Sequence, residues 1–364
     1  MNKSVGIVMA AVAGLALLHA ETMVNGRRAI ILEGKAAKLI LDLGGGSLVD
    51  FHLLDHGLNP LVWGEKSSDP KPREMGHFIC LDRWGPPSAA EQKNGMMFHG
   101  EATHVDWKET GALVHARGRM EAAAGATLPM AGLAIQRRIR LLENQPVFRV
   151  SESVTNINKL GRVYNLVEHA TIGPPFLETS TLVDSNGRKG FMQSSPMPNP
   201  EEPAVIWPHA LKDGQSINMR RLAADPAPNV VSYTMDEEYG WVTAGNPARG
   251  LLLGYIWKTA EFPWLNLWRH VENGKPLARG LEFGTTGLHQ PYPVLVRKGS
   301  IFGRPLYSYI DANEMVTRSY IAFLAKIPSE FQGVERVMLK EGRLSIIPRG
   351  GPELHMEIGD LLRE

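Results

Sequence analysis

The chain has almost no cysteine: Cys80 stands alone among 364 residues. One thiol excludes an internal disulfide and any metal site built from cysteine pairs. The apolar neighbours Phe78, Ile79 and Leu81 make it a buried, inert thiol rather than a nucleophile. An excess of charge is missing too, because 39 basic against 38 acidic residues leave a net charge of +1. That balance gives no electrostatic reason for nucleic acid or an anionic membrane as a partner. Beyond residue 20 no apolar run is long enough to span a bilayer. Helical patterning is equally scarce, with no convincing amphipathic segment longer than about two turns. No repeat of solenoid or propeller period is visible.

Several catalytic signatures are absent as well. The chain holds 12 histidines but no His-Glu-x-x-His. His99 and His104 are five apart around a glycine, and His52 and His56 lack helical context, so no catalytic metal is expected. Asp236-Glu-Glu238 reads as a solvated acidic turn. There is no Gly-x-Ser-x-Gly elbow, which argues against a serine triad. Gly44-Gly-Gly46 lacks the glycine spacing and following helix of a phosphate loop and reads as a strand-to-strand turn.

What is present begins with Lys3, an apolar run from Val5 to Leu18, and Leu18-His-Ala20 before Glu21. This is the layout of a secretory signal, too short for a membrane span. Residues 1–20 are therefore expected to be a signal peptide, and the mature chain to be periplasmic or secreted, with no membrane contact after cleavage. Residues 21–364 are expected to form one large domain.

The 37 glycines and 25 prolines favour many short elements. Between them, segments alternate with period two, for example Ser47–Leu54, Val147–Asn156, Val163–Thr171, Leu251–Trp257, Leu265–His270 and Ser319–Ala325. In Val147–Asn156, Phe148, Val150 and Val154 share one face with Glu152. The pattern predicts an all-β protein with antiparallel sheets packed face to face. The stretch Pro196–Pro228, rich in Pro, Asn and Asp, reads as a long irregular excursion. Arg137, Arg138 and Arg140 alternate across both faces of a hairpin and read as its decoration.

His169 is the first candidate for chemistry. Asn165, Val167, His169 and Thr171 share one strand face, and Gly-Pro-Pro follows shortly after. An imidazole ending a strand is well placed for acid or base work. Glu282 is the second. In Ala278–Gly284 it shares a face with Ala278, Gly280 and Gly284, whose small side chains leave room for a ligand. Trp268, on a face with Asn266 and His270, offers an aromatic plane beside hydrogen-bonding groups, which suits a sugar ring. Trp257 and Trp264 are close to it in sequence and fit equally well in a sandwich core.

Scattered motifs in a fixed order then resemble the galactose mutarotase-like superfamily, the aldose 1-epimerases and their relatives. They are Gly45–His52 with Asn59-Pro-Leu-Val-Trp63, then Phe98-His-Gly100, Ile135–Leu141, Phe148-Arg-Val150, Val154-Thr-Asn156, the strand ending at His169, and Leu281-Glu-Phe-Gly284. The resemblance implies a β-supersandwich that binds a monosaccharide or sugar terminus without a cofactor. It implies His169 as general acid and Glu282 as general base on opposite sides of the C1–O5 bond, with His99, Arg83 and Trp268 orienting the sugar. A neighbouring carboxylate would then favour a protonated His169. Two other readings share this scaffold: a carbohydrate-binding protein without catalysis, and a polysaccharide-cleaving enzyme.

Overall fold

The computed structural model describes residues 22–64, 69–193, 205–212, 214–222 and 229–362. The expected signal segment and much of the Pro196–Pro228 excursion lie outside them. Among the described residues no helix is long and apolar enough to cross a membrane.

Two antiparallel sheets make the body, as the alternation predicts. Among the described residues the larger has 12 strands and places His77–Asp82, Arg162–Ile172, Lys275–Gly284, Trp264–Glu272 and Asn229–Thr234 side by side at its centre. The smaller has nine and centres on Leu251–Lys258, Met315–Lys326, Val147–Asn156 and Leu133–Leu142. Their facing sides bury one apolar cluster that includes Leu166, Ala170, Leu281, Phe283, Phe148, Val150 and Tyr255. Val334–Lys340, Arg343–Pro348 and Leu354–Glu357 form a third sheet. Val337, Leu344 and Ile346 of this sheet share a second cluster with Leu252, Ile256 and Phe323. Among the described residues helices are short, the longest being Tyr292–Lys298.

Period-two alternation decides which side chains reach the functional face. In Arg162–Ile172, Leu166 and Ala170 point into the sandwich, while Val167 packs with Phe78, Cys80 and Trp84 on the opposite face. Cys80 is fully buried there, and burial pushes its thiol further up. Gly44-Gly-Gly46 is the expected turn, joining the paired strands Ala37–Asp42 and Leu48–Leu53. Gly46 has φ +70, and a Cβ there would lie 2.2 Å from the Trp107 ring. Within the proline-rich excursion, His209–Lys212 and Gln215–Asn218 pair as a hairpin, so that stretch is more regular than its composition suggests.

The arginine reading needs correction. Arg137 is fully buried between the sheets, not hairpin decoration, and its Nε donates to Glu152 Oε1 at 2.6 Å. The two residues are cross-strand partners, so register alone delivers the counter-charge. A second Arg137 nitrogen donates to the Gly46 carbonyl. Arg140 is buried too and donates to Glu121 at 2.8 Å, whereas Arg138 is exposed. Glu168, the inward neighbour of His169, meets His77 at 3.0 Å in the same interior layer. Buried charge is tolerated when it is paired and hydrogen-bonded, and this layer meets that condition at Arg137.

Candidate active site

His169 and Glu282 are directly opposed residues on adjacent antiparallel strands. Their side chains point away from the interior, and His169 Nε2 lies 3.1 Å from Glu282 Oε1. Both are almost fully buried, at 4 % and 1 % exposure. They form the floor of a cavity of about 250 Å³ lined by Trp63, Glu74, Phe78, Trp84, Phe98, His99, His169, Val230, Trp268, Glu282 and His289.

The carboxyl is held through one oxygen. Trp84 Nε1 donates to Oε2 at 2.8 Å, while Oε1 has no hydrogen-bond donor aimed at it. The room at Gly280, read from the sequence as space for a ligand, is taken by the Glu282 carboxyl itself. A Cβ at 280 would fall 2.4 Å from Glu282 Oε1. At Gly284 the room is taken instead by Val167, 2.4 Å from where a Cβ would be. His169 is fixed by stacking on Phe78, with centroids 4.1 Å apart and planes 17° from parallel. Its Nδ1 sits 2.8 Å from Thr171 Oγ1 on the same strand face.

His99 reaches the cavity through an unusual backbone. It has φ +60, a left-handed conformation that few side chains adopt, and Gly100 follows at φ +85. A Cβ on Gly100 would fall 2.0 Å from the Leu81 carbonyl, so the His-Gly pair is what this close approach requires. His99 Nδ1 meets Glu74 at 3.2 Å, and its Nε2 lies 3.4 Å from His289 Nε2. Gly85, at φ +99, makes room for the His289 ring.

Burial dominates the electrostatics. It holds the His169 imidazole well below its usual range, helped by His99, and it raises the Glu282 carboxyl well above the usual carboxylate range. His289 is pushed down to about 3 by burial. The neighbouring carboxyl would favour a protonated His169, whereas burial pushes both groups toward their neutral forms. His169 and Glu282 are neighbours on one wall of the cavity.

The structure brings His169, Glu282, His99 and Trp268 together and leaves Arg83 out. Arg83 turns beside the cavity rather than into it. Its guanidinium bonds Asp82 at 2.9 and 3.0 Å, pairs with Glu91 at 3.0 Å and lies over the Tyr292 ring. The adjacent Trp84 enters in its place. Trp63, Glu74, Phe78, Trp84, Phe98, Val230 and His289 were not among the residues singled out for the site. Trp63 and Glu74 come from the connection after Leu48–Leu53, Trp84 and Phe98 from the one after His77–Asp82, and His289 from the segment after Gly284.

Chemically, the cavity offers aromatic walls for a ring face, three imidazoles and two carboxyls. Glu282 and His169 can exchange protons with two atoms held side by side. Among the described residues no group of three or more histidine, cysteine or acidic side chains is arranged to hold a metal ion.

No sequence-family model and no curated protein matches the chain. Solved structures do. A galactose mutarotase-like protein of Clostridium acetobutylicum superposes with a TM-score of 0.61 at 14% identity, covering 85% of this chain and 98% of its own. A candidate aldose 1-epimerase of Klebsiella pneumoniae gives 0.59 at 15% identity, covering 83% and 80%. A galactose mutarotase-like protein of Lactobacillus casei gives 0.54 at 12% identity, covering 82% and 100%. The fold is the galactose mutarotase-like β-sandwich.

Proposed function

We propose that this protein is an exported enzyme that interconverts the anomers of an aldose by acid–base ring opening. The observation that carries the reading is the 3.1 Å approach of His169 Nε2 to Glu282 Oε1 at the floor of an aromatic-walled cavity. In mutarotation one group takes the anomeric hydroxyl proton while another protonates the ring oxygen. Both oxygens are bonded to the same carbon, so two proton carriers set side by side match them better than two set far apart. Trp268, Phe78 and Trp63 give the sugar's C–H face apolar planes. His99, His289 and Glu74 give its hydroxyls partners. The reaction needs no metal and no redox cofactor. Its substrate is a monosaccharide or a sugar terminus. Export rests on the basic, apolar, small-residue layout of residues 1–20.

Polarimetry on a panel of freshly dissolved aldoses tests this reading. Accelerated approach to anomeric equilibrium for at least one sugar supports it. Calorimetric binding of a sugar without any acceleration would leave a binding protein in its place.

A further inference from the structure

Resting on that reading, we infer that the substrate is the reducing end of a neutral oligosaccharide, whose next sugar unit lies on a second subsite built by Trp268, His270 and Trp63 at the cavity mouth. Size and depth carry the first part. The cavity is about 250 Å³. Common ligand pockets run to roughly 300–1,000 Å³, so this one takes a single sugar ring. Anomerisation puts C1 and O5 on His169 and Glu282, which are 4 % and 1 % exposed. The C3–C4 edge of a pyranose is opposite its C1–O5 edge and therefore faces out, past Phe98 at 48 % exposure. A neighbouring unit linked at C3 or C4 leaves the cavity there.

What it meets outside is aromatic. Of the chain's eight tryptophans, five are at most 2 % exposed. Trp63 and Trp268 are instead half-buried, and their rings touch edge to face at 5.8 Å where they line the cavity. His270 follows two residues later on the face of Trp268, half-buried, with its ring 5.9 Å away. Trp268 is paired with Gly280 and His270 with Ala278, so no bulky neighbour on that strand covers either ring. Two residues of strand advance about 6.6 Å. Trp268 lines the cavity and His270 does not, so the strip carries the aromatic wall one step further out. Adjoining half-exposed rings, continuous with a binding cavity, give the C–H face of a second sugar a surface and its hydroxyls an imidazole partner.

Charge narrows the class. Glu74 and Glu282 line the cavity, and no arginine or lysine is among its described lining residues. Arg83 beside it is taken up by Asp82 and Glu91. A phosphorylated sugar or a uronic acid would enter without a counter-charge, at the cost of burying an unpaired anion. The sugar units are therefore neutral.

Calorimetry on the full chain tests the subsite with glucose, galactose, mannose and xylose, each beside its own 1,4-linked disaccharide. At least one disaccharide is expected to bind roughly tenfold tighter than its monosaccharide, the worth of one added stacking contact. His270→Ala should bring that ratio down toward one. No preference in any pair, or a ratio that His270→Ala leaves unchanged, overturns the subsite. Tighter binding of glucose 6-phosphate or glucuronic acid than of glucose overturns the neutral class. Polarimetry on the same sugars separates this inference from the activity it rests on. Disaccharide preference without faster anomerisation overturns the activity and keeps the subsite, whereas anomerisation without that preference does the reverse.

Discussion

Trp84 Nε1 donates a 2.8 Å hydrogen bond to Glu282 Oε2, linking the loop after one strand to the centre of another 198 residues later in the chain. The bond leaves Oε1 as the oxygen facing His169. It is also the principal interaction opposing the effect of burial on Glu282.

Trp84→Phe keeps the ring and removes the donor. The expected outcome is a fall in kcat of roughly 10- to 100-fold, the range for a hydrogen bond to an ionisable group, with KM changed much less. The apparent pKa of Glu282 in the pH–rate profile should rise, because the interaction favouring its charged form is gone. An unchanged profile would remove Trp84 from the machinery.

The pair Arg137–Glu152 makes a prediction about stability rather than activity. Both side chains are essentially fully buried, with Arg137 Nε 2.6 Å from Glu152 Oε1. Removing one partner of a buried ion pair leaves the other charge stranded, at a cost of about 3–5 kcal/mol. Glu152→Ala should lose about that much in urea denaturation. A loss well under 1 kcal/mol would mean that water or another group takes over the guanidinium.

His289 gives a pH dependence whose sign is fixed. Its folded-state value is about 3 against 6.5 for the free side chain, so between those limits the unfolded chain binds the extra proton. The contribution of His289 to stability is complete above pH 6.5 and is lost as pH falls toward 3. His289→Gln should therefore flatten the dependence of unfolding free energy on pH across pH 4–6. The reduction is at most one proton, about 1.4 kcal/mol per pH unit. An identical slope in the variant would show that the imidazole titrates normally in the folded protein.

The sequence yields most of the sandwich because period-two alternation is a local property. The outward face of the strand carrying His169 and the small neighbours of Glu282 are both visible without any knowledge of pairing. The cross-strand register of His169 with Glu282 is not local, and only the assembled sheet shows that the two touch. The misplacement of Arg83 has the same origin. Arg83 and Trp84 are consecutive, and Asp82 before them has φ +85, which breaks the alternation that would have told one face from the other. His289 and Glu74 lie outside regular strands and carry no periodic signal at all. Arg137 looks like surface decoration until Glu152 is placed opposite it. Burial pushes the central pair toward its neutral forms, and depth inside a fold has no counterpart in a motif.

Polarimetric anomerisation by His169→Asn and Glu282→Gln, measured beside the unaltered protein on its best aldose, tests the central claim most directly. Each variant should lose roughly 10²- to 10⁴-fold in kcat, the usual contribution of a positioned acid or base, while still binding the sugar by calorimetry. Full activity in either variant would contradict the account.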